Sequence, residues 1–299
     1  MRREEENKGI LAATVGHFFW GLSFLASRTA LNTAPVTLLL SHRFLLAFLL
    51  MSLLIPTRLG DCHLREKHIS PLVFLGLLEP VIYFYGEQYG ILHSNTIFSG
   101  VMISTIPIFC VLTAIPILHE KPTAGQMIFS LLSVGGVIGM GLLSRDSGAL
   151  DWIGVAALLV AVASAVAYTL MNRNISGRYT PFERTYVMLM TGAVVFTLMA
   201  AVSIKGGLAE YMRPFRETSY LISVLFLAGI CSILCFFLSS YSLTKLTVAR
   251  ATVFANLTTV VSVFAGAVIL HEPFSLTGLL CCALILLGIY GVQRMAGRE

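Results

Sequence analysis

Glu79, Tyr83 and Glu87 follow one another at four-residue steps. On a helix that spacing stacks two carboxylates and a phenol along one stripe, a set able to hold an ammonium group or pass on a proton. The setting is unusual, because residues 69–92 are otherwise largely apolar. A second helical stripe carries His17, Gly21, Phe24 and Arg28, with Trp20 beside it, and His42 and Arg43 lie in a third apolar run. Ionisable groups at the centre of a membrane helix cost about 2.5–3.5 kcal/mol each by insertion scales, so they mark partners, pathways or sites. Glu79 therefore has three readings: a structural ion pair with Arg43 from the neighbouring run, a substrate-amine or proton-coupling role, or an outward-facing, hydrated position. Glu87, nearer the outer interface, reads as a hydrated group at the mouth or a second ion-coupling carboxylate.

Further polar or adaptable side chains fall at helical spacing in other runs. Asn95, Ser99, Met102 and Ile106 share one stripe, and Arg250, Phe254, Asn256 and Thr259 lie in its later counterpart. Tyr168 sits at a depth compatible with a cavity wall. The candidate substrate-binding set is His17, Trp20, Glu79, Tyr83, Met102, Tyr168 and Asn256. No catalytic or metal site is expected. His119-Glu120 and His271-Glu272 each lack the second histidine of a zinc motif, and these pairs read as caps on the helix that follows. Cys231 and Cys235, one turn apart, read as packing residues. Neither a nucleophile elbow nor a phosphate-binding loop is present, so neither an enzyme nor an ATP-driven pump is indicated and no cofactor is implied.

The elements that must position these residues follow from composition. Of 299 residues, 57% are hydrophobic and 12% charged, with mean hydropathy +0.84. Soluble domains carry about 25% charged residues, so a soluble enzyme, a nucleic-acid binder and a disordered scaffold are all excluded. Ten apolar windows, each long enough to cross the roughly 30 Å hydrocarbon core, run near 9–31, 35–56, 69–92, 95–118, 123–143, 150–171, 183–204, 219–243, 247–270 and 275–292. The first is longer than a signal peptide's apolar region and contains Arg28, so it reads as an uncleaved span. Of the 20 Lys and Arg, Arg145, Lys205, Arg213 and Arg216 fall in outer segments, Arg28, Arg43 and Arg250 in or at spans, and the other thirteen in inner segments. This positive-inside bias places both termini in the cytoplasm.

Leu118-His119-Glu120 recurs as Leu270-His271-Glu272, with Pro122 and Pro273 close behind, and Gly136 and Gly139 fall on Gly288 and Gly291 at the same offset. Ser94–Ser99 and Thr247–Ala251 lead the preceding spans of the two halves. With five spans per half, the second half enters the bilayer in the opposite sense. The expected architecture is an all-α integral membrane protein of ten transmembrane helices in two inverted five-helix repeats. The first repeat spans 9–143 and the second 150–292, joined by 144–149 and flanked by cytoplasmic segments 1–8 and 293–299.

Phe19-Trp20-Gly21, Pro35 followed by Arg43-Phe44-Leu45-Leu46-Ala47, and Glu120 or Glu272 before the last helix of each half resemble the drug/metabolite transporter superfamily, in particular its EamA-type members. The second half departs from this pattern. Ala163-Ser164-Ala165 stands where the Trp-Gly pair is expected, and no counterpart of Arg43 follows Pro181, which argues against equivalent polar groups from both halves. The resemblance implies a central cavity lined by the first, third and fourth helices of each half. It also implies peripheral fifth and tenth helices, in a monomer or a homodimer. The implied function is secondary active transport of a small polar or amphipathic metabolite, amino acids foremost and export favoured, in the cell (inner) membrane. The implied partners are that substrate, protons and the lipid bilayer, with no nucleic acid. Alternatives are a nucleotide-sugar or sugar-phosphate antiporter and a multidrug or cation exporter; a passive channel and a membrane-embedded enzyme are the competing classes.

Overall fold

The protein is described by a computed structural model covering residues 2–57, 63–64, 67–92, 102–103, 105–143, 152–269 and 276–295. Asn95, Ser99, the Arg28 side chain and the His271-Glu272 pair lie outside the described residues. Among the described residues the chain is helical, without strands, and its long elements are ten. They are α1 (Arg2–Leu31), α2 (Val36–Ser52), α3 (70–92), α4 (Ile106–Leu118) and α5 (Ala124–Leu143), then α6 (Trp152–Asn174), α7 (Pro181–Ser203), α8 (Thr218–Lys245), α9 (248–269) and α10 (Leu276–Met295). Among the described residues, five of these are long and apolar enough to cross a bilayer.

The interruptions occupy matching places in the two halves. Helix α3 is wound as a π-helix over Leu77–Ile82, and α8 over Phe226–Leu234. In α3 the cause is local: Pro80 has no N–H to donate and cannot continue a helical ladder, and Glu79 is extended at φ −140°, ψ 121°. Such wider turns concentrate at functional sites. In α9 the break falls at 253–254, between Val248–Thr252 and Ala255–Ile269.

Packing follows small residues and aromatic rings. Helix α2 lies on α7, where Phe44 stacks on Phe196 at 5.5 Å between centroids, inside a cluster with Ala47, Met51, Leu72, Met188 and Leu189. Helices α5 and α10 approach closely at glycines: a Cβ on Gly288 would fall 2.5 Å from Ser133 Cβ, and one on Gly136 2.9 Å from the Cys281 carbonyl. Close approach through small residues is how bilayer helices gain contact area. Phe109, Leu112 and Ile115 on α4 and Leu280, Leu286 and Leu287 on α10 face outward, an apolar surface suited to lipid.

Both ends of the chain lie at the same end of the bundle. Arg250, at the start of α9, donates from Nη1 to Glu6 Oε2 at 2.9 Å and from Nε to Gln293 Oε1 at 3.1 Å, joining the first and last helices. An even number of crossings requires this, and because each half has five, α6–α10 run in the contrary sense to α1–α5. The protein is therefore an all-α membrane bundle of two inverted five-helix repeats.

Candidate functional site: a cavity between the halves

A cavity of about 410 Å³ lies between the two repeats, within the roughly 300–1,000 Å³ of small-molecule sites. Helices α1, α3, α4, α6, α8 and α9 line it together with α2, which contributes Arg43; α5, α7 and α10 do not. His17, Trp20, Arg43, Glu79, Tyr83, Glu87, Tyr168 and Asn256 all reach it. Met102 does not line it. Ile103 and Ile106 do.

Each side chain has a definite setting. Tyr83 donates its hydroxyl to Glu87 Oε1 at 3.0 Å, joining the phenol to one carboxylate of the four-residue stripe. His17 Nδ1 lies 3.3 Å from Thr258 Oγ1, and its ring meets Trp20 edge-on at 5.0 Å. Trp20 donates from Nε1 to the Cys231 carbonyl at 3.0 Å and packs its ring against Phe236. The Tyr168 hydroxyl accepts from Asn172 Nδ2 at 3.1 Å. The Asn172 side-chain carbonyl in turn accepts from Arg184, which is fully buried and also donates to the Asn172 and Ser240 carbonyls at 2.8 Å each. Asn256 Nδ2 donates to Ser133 Oγ at 3.0 Å, so its amide braces α9 against α5 as well as facing the cavity.

Arg43 and Glu79 do not form the structural ion pair that their positions suggested: among the described residues no oxygen of Glu79 lies within 4.0 Å of the guanidinium. The physical reason is competition for Arg43. Its Nε donates to Ser232 Oγ at 2.7 Å, and its guanidinium lies over the rings of Phe44 and Phe84 at 5.3 and 5.2 Å, a pair of cation–π contacts that offsets part of the desolvation cost. Glu79 itself faces the cavity with no hydrogen-bond partner among the described residues.

Glu120 also departs from expectation. Its carboxylate meets a helix N-terminus, but that of α9 rather than the adjacent α5. Oε2 accepts the Val248 N–H at 2.7 Å, and Oε1 accepts from Arg173 Nε at 3.2 Å. The start of α5 is capped locally by Thr123 and Gln126, each accepting the other's backbone N–H. Glu120 is freed for this because α4 ends at His119 in the left-handed region, φ 55°. Arg173 Nη1 also donates to the Leu243 carbonyl at 2.7 Å. One carboxylate of the first half thus ties α6, α8 and α9 of the second, at the termini end of the cavity.

Ser232, Thr258 and Ser164 are site-shaping residues that sequence reasoning passed over. Their signal is a hydroxyl in an apolar run, single at Ser164 and Ser232 and paired with Thr259 at Thr258, each needing a partner in hydrocarbon.

An inverted helical repeat enclosing a largely apolar cavity that bears a few charged groups marks a membrane transporter. The comparisons place it more closely. The profile of the EamA-like transporter family matches residues 7–142 and 152–294, and the chain belongs to that family. It is 31% identical over 297 residues to the uncharacterized transporter YcxC of Bacillus subtilis, covering 97% of this chain and 94% of the relative. It is 28% identical to an uncharacterized transporter of Archaeoglobus fulgidus, covering 95% and 98%. A solved crystal structure superposes with TM-score 0.79 at 16% identity, covering 98% of both chains, a likeness of fold alone.

Proposed function

We propose that this transporter moves small metabolites carrying an ammonium group, amino acids foremost, by alternating access around the cavity, with export favoured and protons as the coupling ion. One observation carries the reading. Glu79 presents a carboxylate to the cavity with no hydrogen-bond partner or ion pair among the described residues, while Arg43 is already engaged. An unpaired carboxylate in a site of low dielectric constant seeks a cation, and a substrate ammonium or a proton supplies one. Arg43 at the same cavity offers a guanidinium to a substrate carboxylate, and Trp20, Phe84 and Phe236 offer apolar contact. The membrane is the cell (inner) membrane, and the abundance of Lys and Arg in the termini-side segments supports cytoplasmic termini.

Among the described lining residues there are two carboxylates, one guanidinium and no lysine. That balance disfavours nucleotide sugars and sugar phosphates, which need several cations, and it favours organic cations as the second reading. Counterflow in proteoliposomes against a panel of amino acids and organic amines separates the two. Glu79→Gln is expected to lower counterflow of the accepted substrate at least about tenfold, as loss of a charged hydrogen bond of about 1.5–3 kcal/mol implies. Full activity with unchanged pH dependence would remove Glu79 from the mechanism.

A further inference from the structure

The two π-wound turns are each held by the opposite half, in the same way. In α8 the Cys231 carbonyl accepts from Trp20 Nε1 at 3.0 Å, and the next residue, Ser232, holds Arg43. In α3 the Leu78 carbonyl accepts from Ser164 Oγ at 2.7 Å, and the next residue is Glu79. Trp20 belongs to the first helix of the first half and Ser164 to the first helix of the second. The Ala163-Ser164-Ala165 stretch, which looks like a departure from the Trp-Gly pattern, therefore supplies an equivalent donor. It does so with a hydroxyl instead of an indole.

We propose that Ser164 is the positioning residue of Glu79 and that Trp20 is its counterpart for Arg43, so that the two cross-half hydrogen bonds set where the cavity's unpaired carboxylate and its guanidinium stand. The geometry around Glu79 supports this from both sides. The Leu78 carbonyl receives the Ser164 hydroxyl in addition to the Tyr83 N–H five residues on, which ties the wide turn to α6. On the other flank Pro80 is seated against α7, where a Cβ on Gly192 would fall 2.7 Å from its ring. Glu79 is extended between these two fixed neighbours, so its side chain leaves the helix axis into the cavity instead of following the helical stripe. Ser164 is 5% exposed and reaches substrate only through Glu79. Its functional weight rests on the substrate-binding role proposed for Glu79; its positional effect does not.

The test reads the carboxylate directly and needs no substrate. Purified protein in nanodiscs is treated with dicyclohexylcarbodiimide, which modifies carboxyl groups held in apolar surroundings, and the rate of Glu79 modification is followed by peptide mass spectrometry. Ser164→Ala is expected to slow that modification about two- to tenfold, the population change that one neutral hydrogen bond sustains. Ser164→Thr, which keeps the hydroxyl, restores it, and thermal unfolding midpoints stay within the range of the wild type. If Ser164→Ala fails to fold, the near-isosteric Ser164→Cys, a weak donor, is expected to show the same slowing. A wild-type rate in the folded Ala or Cys variant, or no modification of Glu79 in the wild type, overturns the proposal. Glu79→Gln counterflow is a separate reading: full transport there with slowed modification in Ser164→Ala removes the substrate role and leaves the positioning intact.

Discussion

Arg43 shows how this protein accommodates a charge deep in the bundle. Its guanidinium has one hydroxyl acceptor and two aromatic faces, a set matched to a flat, weakly hydrated cation and poorly matched to lysine. Ser232→Ala leaves Nε of a nearly buried arginine without its acceptor, at a cost of about 1–3 kcal/mol. A lower unfolding midpoint and a higher apparent KM for the counterflow substrate are therefore expected; an unchanged midpoint would show that another group accepts the proton of Nε. At this scale the sequence was informative about residue type and less so about pairing. Glu79, Tyr83 and Glu87 announced themselves by spacing, and the Tyr83–Glu87 bond is a direct product of it. The choice of Arg43 between Glu79 and Ser232 was not legible, because it depends on how α8 turns some 190 residues later in the chain. The Glu120 carboxylate was equally misleading, since the nearest helix start in sequence is not the nearest in space.

At the scale of elements, most of the helices could be read from apolar length and punctuation, and the repeat from a three-residue match. The π-wound turns were less evident. Pro80 marks the one in α3, whereas Phe226–Leu234 contains no proline and no residue-level signal that separates it from an ordinary helix. The glycines divide in a way that sequence could not foresee: Gly136, Gly288 and Gly291 meet neighbours at Cβ distances below 3.0 Å, while Gly135 faces open space. Gly288→Val would place a branched side chain against the Phe129 carbonyl and Ser133. It is expected to destabilise the α5–α10 contact by about 1–3 kcal/mol, measured as a lowered unfolding midpoint, with Gly135→Val as a control that leaves the midpoint in place. Equal effects at the two positions would contradict the close approach of these helices.

On the scale of the whole molecule, the inverted repeat turns a local tie into a gating argument. The Glu120 carboxylate, held by Arg173 and the Val248 N–H, ties the helices at the termini end of the cavity, where Leu243 is 3% exposed; Leu31, which lines it towards the other end, is 39% exposed. Under the alternating access proposed above, the two halves open one end as they close the other, whereas a channel has no such obligation. The most direct test is reciprocity of access. Leu31→Cys and Leu243→Cys are made separately in a Cys62→Ser background, the other five cysteines being buried. Each is labelled with a membrane-impermeant maleimide from either side of the membrane, with and without Glu120→Gln. Loss of the tie is predicted to raise labelling at Leu243→Cys and to lower it at Leu31→Cys. A rise at Leu243→Cys with labelling at Leu31→Cys unchanged, or no response at either position, would contradict the account.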